Sequence, residues 1–158
     1  MKKMWAPWRM EYIIKSKKEK GCLFCKKAKT KNDRRNYLLY RSKKSYCILN
    51  LYPYNNGHLL IAPYRHVRNI DSLTDAEICD MFLVAKKVVA ALKKTFKPEG
   101  FNVGINIGKV AGAGVLGHIH MHIVPRWKGD TNFMPILSDT KLVSQSLGDT
   151  YAALKKHL

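Results

Sequence analysis

The sequence predicts an α+β fold: an antiparallel sheet with one long helix and a C-terminal helix. Three observations predict it. Short β-branched and aromatic runs, separated by turn residues, lie on both sides of a single long amphipathic stretch. That stretch repeats its apolar residues at helical spacing, and a late run, HIHMHIVP at 118–125, alternates between two residue classes as a strand does. At 158 residues the chain reads as one compact domain, with an N-terminal arm over 1–35 and the folded body over 36–158.

The arm lacks sustained periodicity. A short helix is expected around Ala6 to Ile14, and Cys22 and Cys25 form a C-x-x-C knuckle. NYLLY at 36–40 and YCILN at 46–50, joined by charged turn material, predict a hairpin. YPYNNGH then reads as a loop, because Pro53 and the Asn55-Asn56-Gly57 run punctuate the chain before the strand HLLIA, which ends at Pro63. Thr74 through Phe96 predicts the long helix, with Thr74 as N-cap and Glu77 as its capping-box partner. Its expected core stripe is Ile78, Met81, Phe82, Ala85, Val88, Val89 and Leu92, and Pro98 and Gly100 close it. FNVGINI at 101–107 resumes strand character, a glycine-rich loop follows over 108–117, and the histidine run is the next strand. After Trp127 a polar tail leads to a final helix near Ser144 to His157, with Leu147, Tyr151, Leu154 and Leu158 on one stripe.

The net charge is +18, from 29 Lys and Arg against 11 acids, so the surface attracts polyanions, whether nucleic acid or polyphosphate. No apolar stretch approaches the ~20 residues a bilayer span requires, which predicts a cytoplasmic protein without a membrane segment. In that compartment four cysteines point to thiols or metal before disulfides; Cys47 and Cys79 stand alone and read as ordinary core residues.

On a strand, residues two apart share a face at about 6.5–7 Å spacing, so His118, His120 and His122 form a row, while Ile119, Met121 and Ile123 point toward the core. Two chemistries compete for such a row. Neutral imidazoles chelate zinc, and they also attack phosphorus when the second ring nitrogen is oriented by a hydrogen bond. The C-x-x-C supplies two soft ligands and leaves a tetrahedral zinc wanting two more, with His58, His66 and the first or last histidine of the row as candidates. The loop glycines Gly108, Gly112, Gly114 and Gly117 let backbone N–H groups approach phosphate oxygens, although no G-K-[ST] closes the loop as a nucleoside-triphosphate P-loop would.

HIHMHIV at 118–124 resembles the H-φ-H-φ-H-φ-φ motif of the histidine triad (HIT) superfamily. The CLFC knuckle, ILNLYPYNNGHLLIAPYRH at 48–66, the LTDAE helix start and GFNVGINIG resemble the family too. MWAPWRMEYI and VPRWKGDTNFMP look like its bacterial branch of diadenosine tetraphosphate (Ap4A) phosphorylases, also called ATP adenylyltransferases, or Ap4A hydrolases. The resemblance implies a homodimer whose sheets join into one, and cleavage of dinucleoside polyphosphates at the α-phosphate. His120 would attack to form a nucleotidyl-histidine, His122 would contact the phosphate or departing group, and water or phosphate would release the product. It also implies a structural zinc on Cys22, Cys25, His66 and His118, with no organic cofactor. Such a closed site argues against a zinc-activated water.

Nucleotide contacts carried over by resemblance are Asn50, where many relatives have a ribose-binding acid, Asn106, the loop residues Gly112, Ala113 and Gly114, and Trp127. Trp5 or Trp8 could cover the base or a dimer seam. Many relatives carry Gly-Gln-Ser or Gly-Gln-Thr before the triad, whereas Ala113, Gly114 and Val115 stand here. The missing hydroxyl lowers the alternative of nucleoside phosphoramidate hydrolysis and favours phosphoanhydride substrates. A further alternative is a nucleotide- or RNA-binding module without significant turnover, suggested by the charge and the aromatic-basic WAPWR.

Overall fold

A computed structural model describes residues 21–130 and 145–158. Trp5, Trp8, the expected helix at Ala6 to Ile14 and the polar tail up to Ser144 lie outside the described residues. Among those described, the strands are β1 (Leu38–Arg41), β2 (Ser45–Leu49), β3 (Leu59–Pro63), β4 (Gly100–Ile105) and β5 (Met121–Arg126). The helices are α1 (Leu23–Lys29), α2 (Asp75–Phe96) and α3 (Leu147–Lys155). The strands form one sheet in the order β1-β2-β3-β5-β4, antiparallel throughout, so the predicted α+β class holds.

One face of the sheet, with Cys47, Leu49, Leu59, Ile61, Met121 and Ile123, packs against Met81, Val88 and Leu92 of α2 and Tyr151 and Leu154 of α3. Period-two alternation in the strands meets the helical stripe there, and each such buried side chain contributes about 1.5–3 kcal/mol of hydrophobic free energy. The opposite face carries a second cluster in which Phe24 of α1 meets Leu38, Tyr46, Ile48, Leu60 and Ala62. The Tyr46 hydroxyl donates to the Phe24 carbonyl at 2.8 Å, tying α1 to β2.

The capping box of α2 is formed: Glu77 N–H donates to Thr74 Oγ1 at 3.2 Å, and Thr74 N–H donates to Glu77 Oε2 at 2.9 Å. Arg65 adds a bidentate pair on the Glu77 carboxylate, at 2.9 and 2.6 Å, and its guanidinium holds that group down to about 2. This joins the segment after β3, which carries His66, to the start of the helix.

Several expectations are corrected. The knuckle is helical, since Leu23–Lys29 coils around Phe24 as the latter inserts into the sheet. The α2 stripe is rolled: Phe82 is 58% exposed, Ile78 and Val89 are half-buried, and Val84 and Ala91 are buried instead. The cause is Asp80, which accepts hydrogen bonds from Ser42 at 2.7 Å and Ser45 at 2.6 Å and so turns its flank of the helix toward the hairpin. The histidine strand begins only at Met121, because the preceding residues leave the ladder and Ile119 N–H donates to the Val67 carbonyl at 2.7 Å. β4 ends at Ile105, two residues short of expectation, and α3 starts at Leu147 behind a Ser146 cap. No helix among the described residues is long and apolar enough to cross a membrane.

Candidate active site and metal centre

His122 lies on β5 opposite Leu60 of β3 and Gly104 of β4, on the sheet face away from α2. His120 and His118 lead into the strand and are 5% and 1% exposed. Backbone groups have fixed hydrogen-bonding polarity, so they settle the protonation of each ring. His120 Nδ1 faces the His118 carbonyl at 2.9 Å; a carbonyl only accepts, so Nδ1 carries the proton and Nε2 keeps its lone pair. His118 Nε2 donates to the Pro63 carbonyl at 2.9 Å, which leaves the lone pair on His118 Nδ1.

The third ring is settled through His58. Tyr54 N–H donates to His58 Nδ1 at 3.0 Å, joined there by the Asn50 amide at 3.2 Å, so neutral His58 carries its proton on Nε2. That nitrogen lies 2.9 Å from His122 Nδ1, which accepts; His122 therefore carries its own proton on Nε2. Burial disfavours the charged rings: it lowers the pKa of His120, and with like-charge repulsion from His120 it lowers that of His122 to about 4. At neutral pH the site thus holds two uncharged imidazoles side by side, centroids 5.0 Å apart, one with a lone pair and one with an N–H.

His118 belongs to a different cluster. One ligand atom each from Cys22, Cys25, His66 and His118 lies within 4.8 Å of the others. His118 Nδ1 is 3.3 Å from Cys22 Sγ and 3.6 Å from Cys25 Sγ, and His66 Nδ1 is 3.3 Å from Cys25 Sγ. Tetrahedral zinc, with bonds of about 2.3 Å to sulfur and 2.0 Å to nitrogen, requires S···N separations of about 3.5 Å, so the donor set fits that ion. Burial lowers the His118 pKa to about 4, and desolvation together with the adjacent Cys22 raises that of Cys25. His58, a candidate ligand from sequence, is committed to His122 instead.

The other expected contacts divide. Asn106 lines a cavity of about 360 Å³ beside His122, and Gly112 brings the glycine loop against it, its φ of +86° and a Cβ position 3.6 Å from Asn106 Nδ2 marking a close approach. The Ala113 N–H donates to the Gly108 carbonyl, folding the loop that also holds Gly114. Asn50 sits beside His58, its Oδ1 accepting from Tyr52 N–H at 3.0 Å. Trp127 turns to the helix side, where its Nε1 donates to the Phe96 carbonyl at 3.3 Å. Tyr54, Asn102 and Arg126 of the cavity wall, and the role of His58 beside His122, were not expected from the sequence; the alternation Asn102, Gly104 on β4, continued by Asn106 just past its end, was the available signal.

Fold and site together define a small α+β protein with a pair of buried, neutral histidines next to a Cys2His2 cluster. A model described as the HIT domain matches residues 31–129, and the chain belongs to that family. It is 36% identical over 157 residues to an AP-4-A phosphorylase of Mycobacterium tuberculosis, covering 95% of this chain and 80% of that protein. It is 40% identical over 93 residues to an asymmetrical bis(5'-nucleosyl)-tetraphosphatase of Schizosaccharomyces pombe, covering 59% of this chain and 50% of that one. Among solved structures, a zinc-bound histidine triad family protein from Mycobacterium smegmatis superposes with a TM-score of 0.70 at 25% identity, covering 87% of this chain and 92% of that one.

Proposed function

We propose that the protein is a nucleotidyl-transfer enzyme that cleaves dinucleoside polyphosphates such as Ap4A at the α-phosphate. The observation that carries this reading is the pair of fixed tautomers: a lone pair on His120 Nε2 beside an N–H on His122 Nε2. The lone pair forms a bond to the α-phosphorus as the bridging P–O bond breaks. The departing oxygen takes the bonding electrons and leaves as the terminal oxygen of a nucleoside polyphosphate, steadied by the His122 N–H. His120 keeps its Nδ1 proton against the His118 carbonyl, which stabilises the cationic phosphoimidazole. Water or inorganic phosphate then releases the nucleotide. The names of the two relatives above support this substrate class. Asn50 and the loop over Gly112, Ala113 and Gly114 hold the transferred nucleotide and Asn106 the phosphate chain, while Trp127, turned to the Phe96 carbonyl, braces the end of β5.

Cys22, Cys25, His66 and His118 hold a zinc ion, which when bound cross-links the chain as a closed, structural site. A thiolate centre of this kind suits the reducing cytoplasm. The homodimer forms through the edge of β4, which among the described residues pairs only with β5 and carries Val103, 50% exposed. Val103→Asp is expected to sediment as a monomer.

The decisive test incubates the protein with Ap4A, with and without inorganic phosphate, and identifies products. ADP plus ATP marks release by phosphate and AMP plus ATP marks release by water, whereas ADP alone marks cleavage of the central bridge and refutes attack at the α-phosphate. His120→Asn is expected to lose about 10³-fold or more in kcat and to form no covalent adduct. Wild-type turnover by that variant refutes the reading.

A further inference from the structure

The cavity beside His122 runs along β5 past Val124 to Arg126, and His120 is not part of its wall. A strand rises ~3.3 Å per residue, so Arg126 lies about 13 Å beyond His122, the reach of a short phosphate chain ending in a nucleoside. At about 360 Å³ it holds one arm of a dinucleoside substrate and not both. Its far end is electrically balanced: Asp130 takes a bidentate pair from Arg126 at 2.7 and 3.0 Å, and Asn102 accepts from the same guanidinium at 2.8 Å. That end offers amide edges to a neutral nucleoside and no net charge to a phosphate. At the near end the Tyr54 ring, 49% exposed, lies parallel to His122 at 5° with centroids 5.8 Å apart, a flat apolar face at the cavity mouth.

Resting on the nucleotidyl-transfer reading, we propose that this cavity is the subsite for the leaving arm, the nucleoside polyphosphate beyond the broken bond, with Tyr54 and Asn102 as its specificity residues. The wall touches the donor of the departing oxygen and not the attacking atom, so what fills it leaves with that oxygen. The transferred nucleotide lies outside this wall, toward Asn50 beside His58.

The test compares Ap4A with adenosine 5′-phosphoimidazolide, whose leaving group is a bare imidazole. Two variants probe the cavity from opposite walls: Tyr54→Ala, and Gly104→Leu, which fills the space because a Cβ at Gly104 meets nothing within 4 Å. Each is expected to lower the ratio of kcat/KM for Ap4A over the phosphoimidazolide at least tenfold, chiefly through KM for Ap4A. An unchanged ratio with both substrates impaired assigns the cavity to the transferred nucleotide and overturns the proposal, as does an unchanged ratio with neither impaired. Failure of the wild-type protein to form a His120 adduct from either substrate refutes the nucleotidyl-transfer reading itself, a result separate from any change in ratio.

Discussion

At the scale of single residues, the site depends on where protons sit, and His58 governs one of them. Its Nε2 proton holds His122 in the tautomer that carries its own N–H on Nε2. His58→Ala is expected to lower kcat by about 10–100-fold, the usual cost of losing an orienting partner, while the His120 adduct still forms. Rapid-quench trapping of that adduct against steady-state turnover checks it; an unchanged kcat removes His58 from the machinery. The histidine row was legible in the sequence because period-two spacing is a local property. The knuckle as partner of His118 was implied by the family resemblance, whereas the Pro63 carbonyl and the Tyr54–His58–His122 relay reach the row only through the fold.

At the scale of elements, two junctions position the site. The loop before β3 carries His58 directly after Gly57, whose φ of +73° and a Cβ position 3.0 Å from Leu92 Cδ2 press the backbone onto α2. Gly57→Ala pays the left-handed strain of about 1–2 kcal/mol as well as that contact, and chemical denaturation is expected to show at least this loss. The second junction is Glu77, buried between Thr74 and Arg65. Its folded pKa of about 2 lies below the unfolded 4.5, so its contribution is present above pH 4.5 and fades as pH falls toward 2. Glu77→Gln is expected to flatten the fall in stability over that window, read from melting temperature against pH. The capping box was legible, because Thr74 and Glu77 are neighbours on one turn; the roll of α2, decided by Asp80 against the hairpin, was not.

At the scale of the molecule, the Cys2His2 cluster joins segments far apart in the chain: Cys25 lies 41 residues from His66 and 93 from His118. Metal removal by a chelator is expected to lower the melting temperature by about 5 °C or more, equivalent to about 2 kcal/mol for a chain of this size. Calorimetry of stripped and zinc-restored protein checks it, and an unchanged melting temperature refutes a structural role for the metal. The cluster also lies against the histidine pair, since the ring of Phe24, which stands between its cysteines in the chain, is 4.8 Å from that of His120.

The sequence by itself determined the α+β class, the long capped helix, the hairpin and the shared face of the histidines, because periodicity and capping act between residues a few positions apart. Tertiary structure alone decided that His58 serves His122, which nitrogen of each ring keeps its proton, and that Tyr54, Asn102 and Arg126 line a cavity. Those outcomes depend on hydrogen bonds and packing between strands distant in the chain, and such partners are chosen only when the sheet closes.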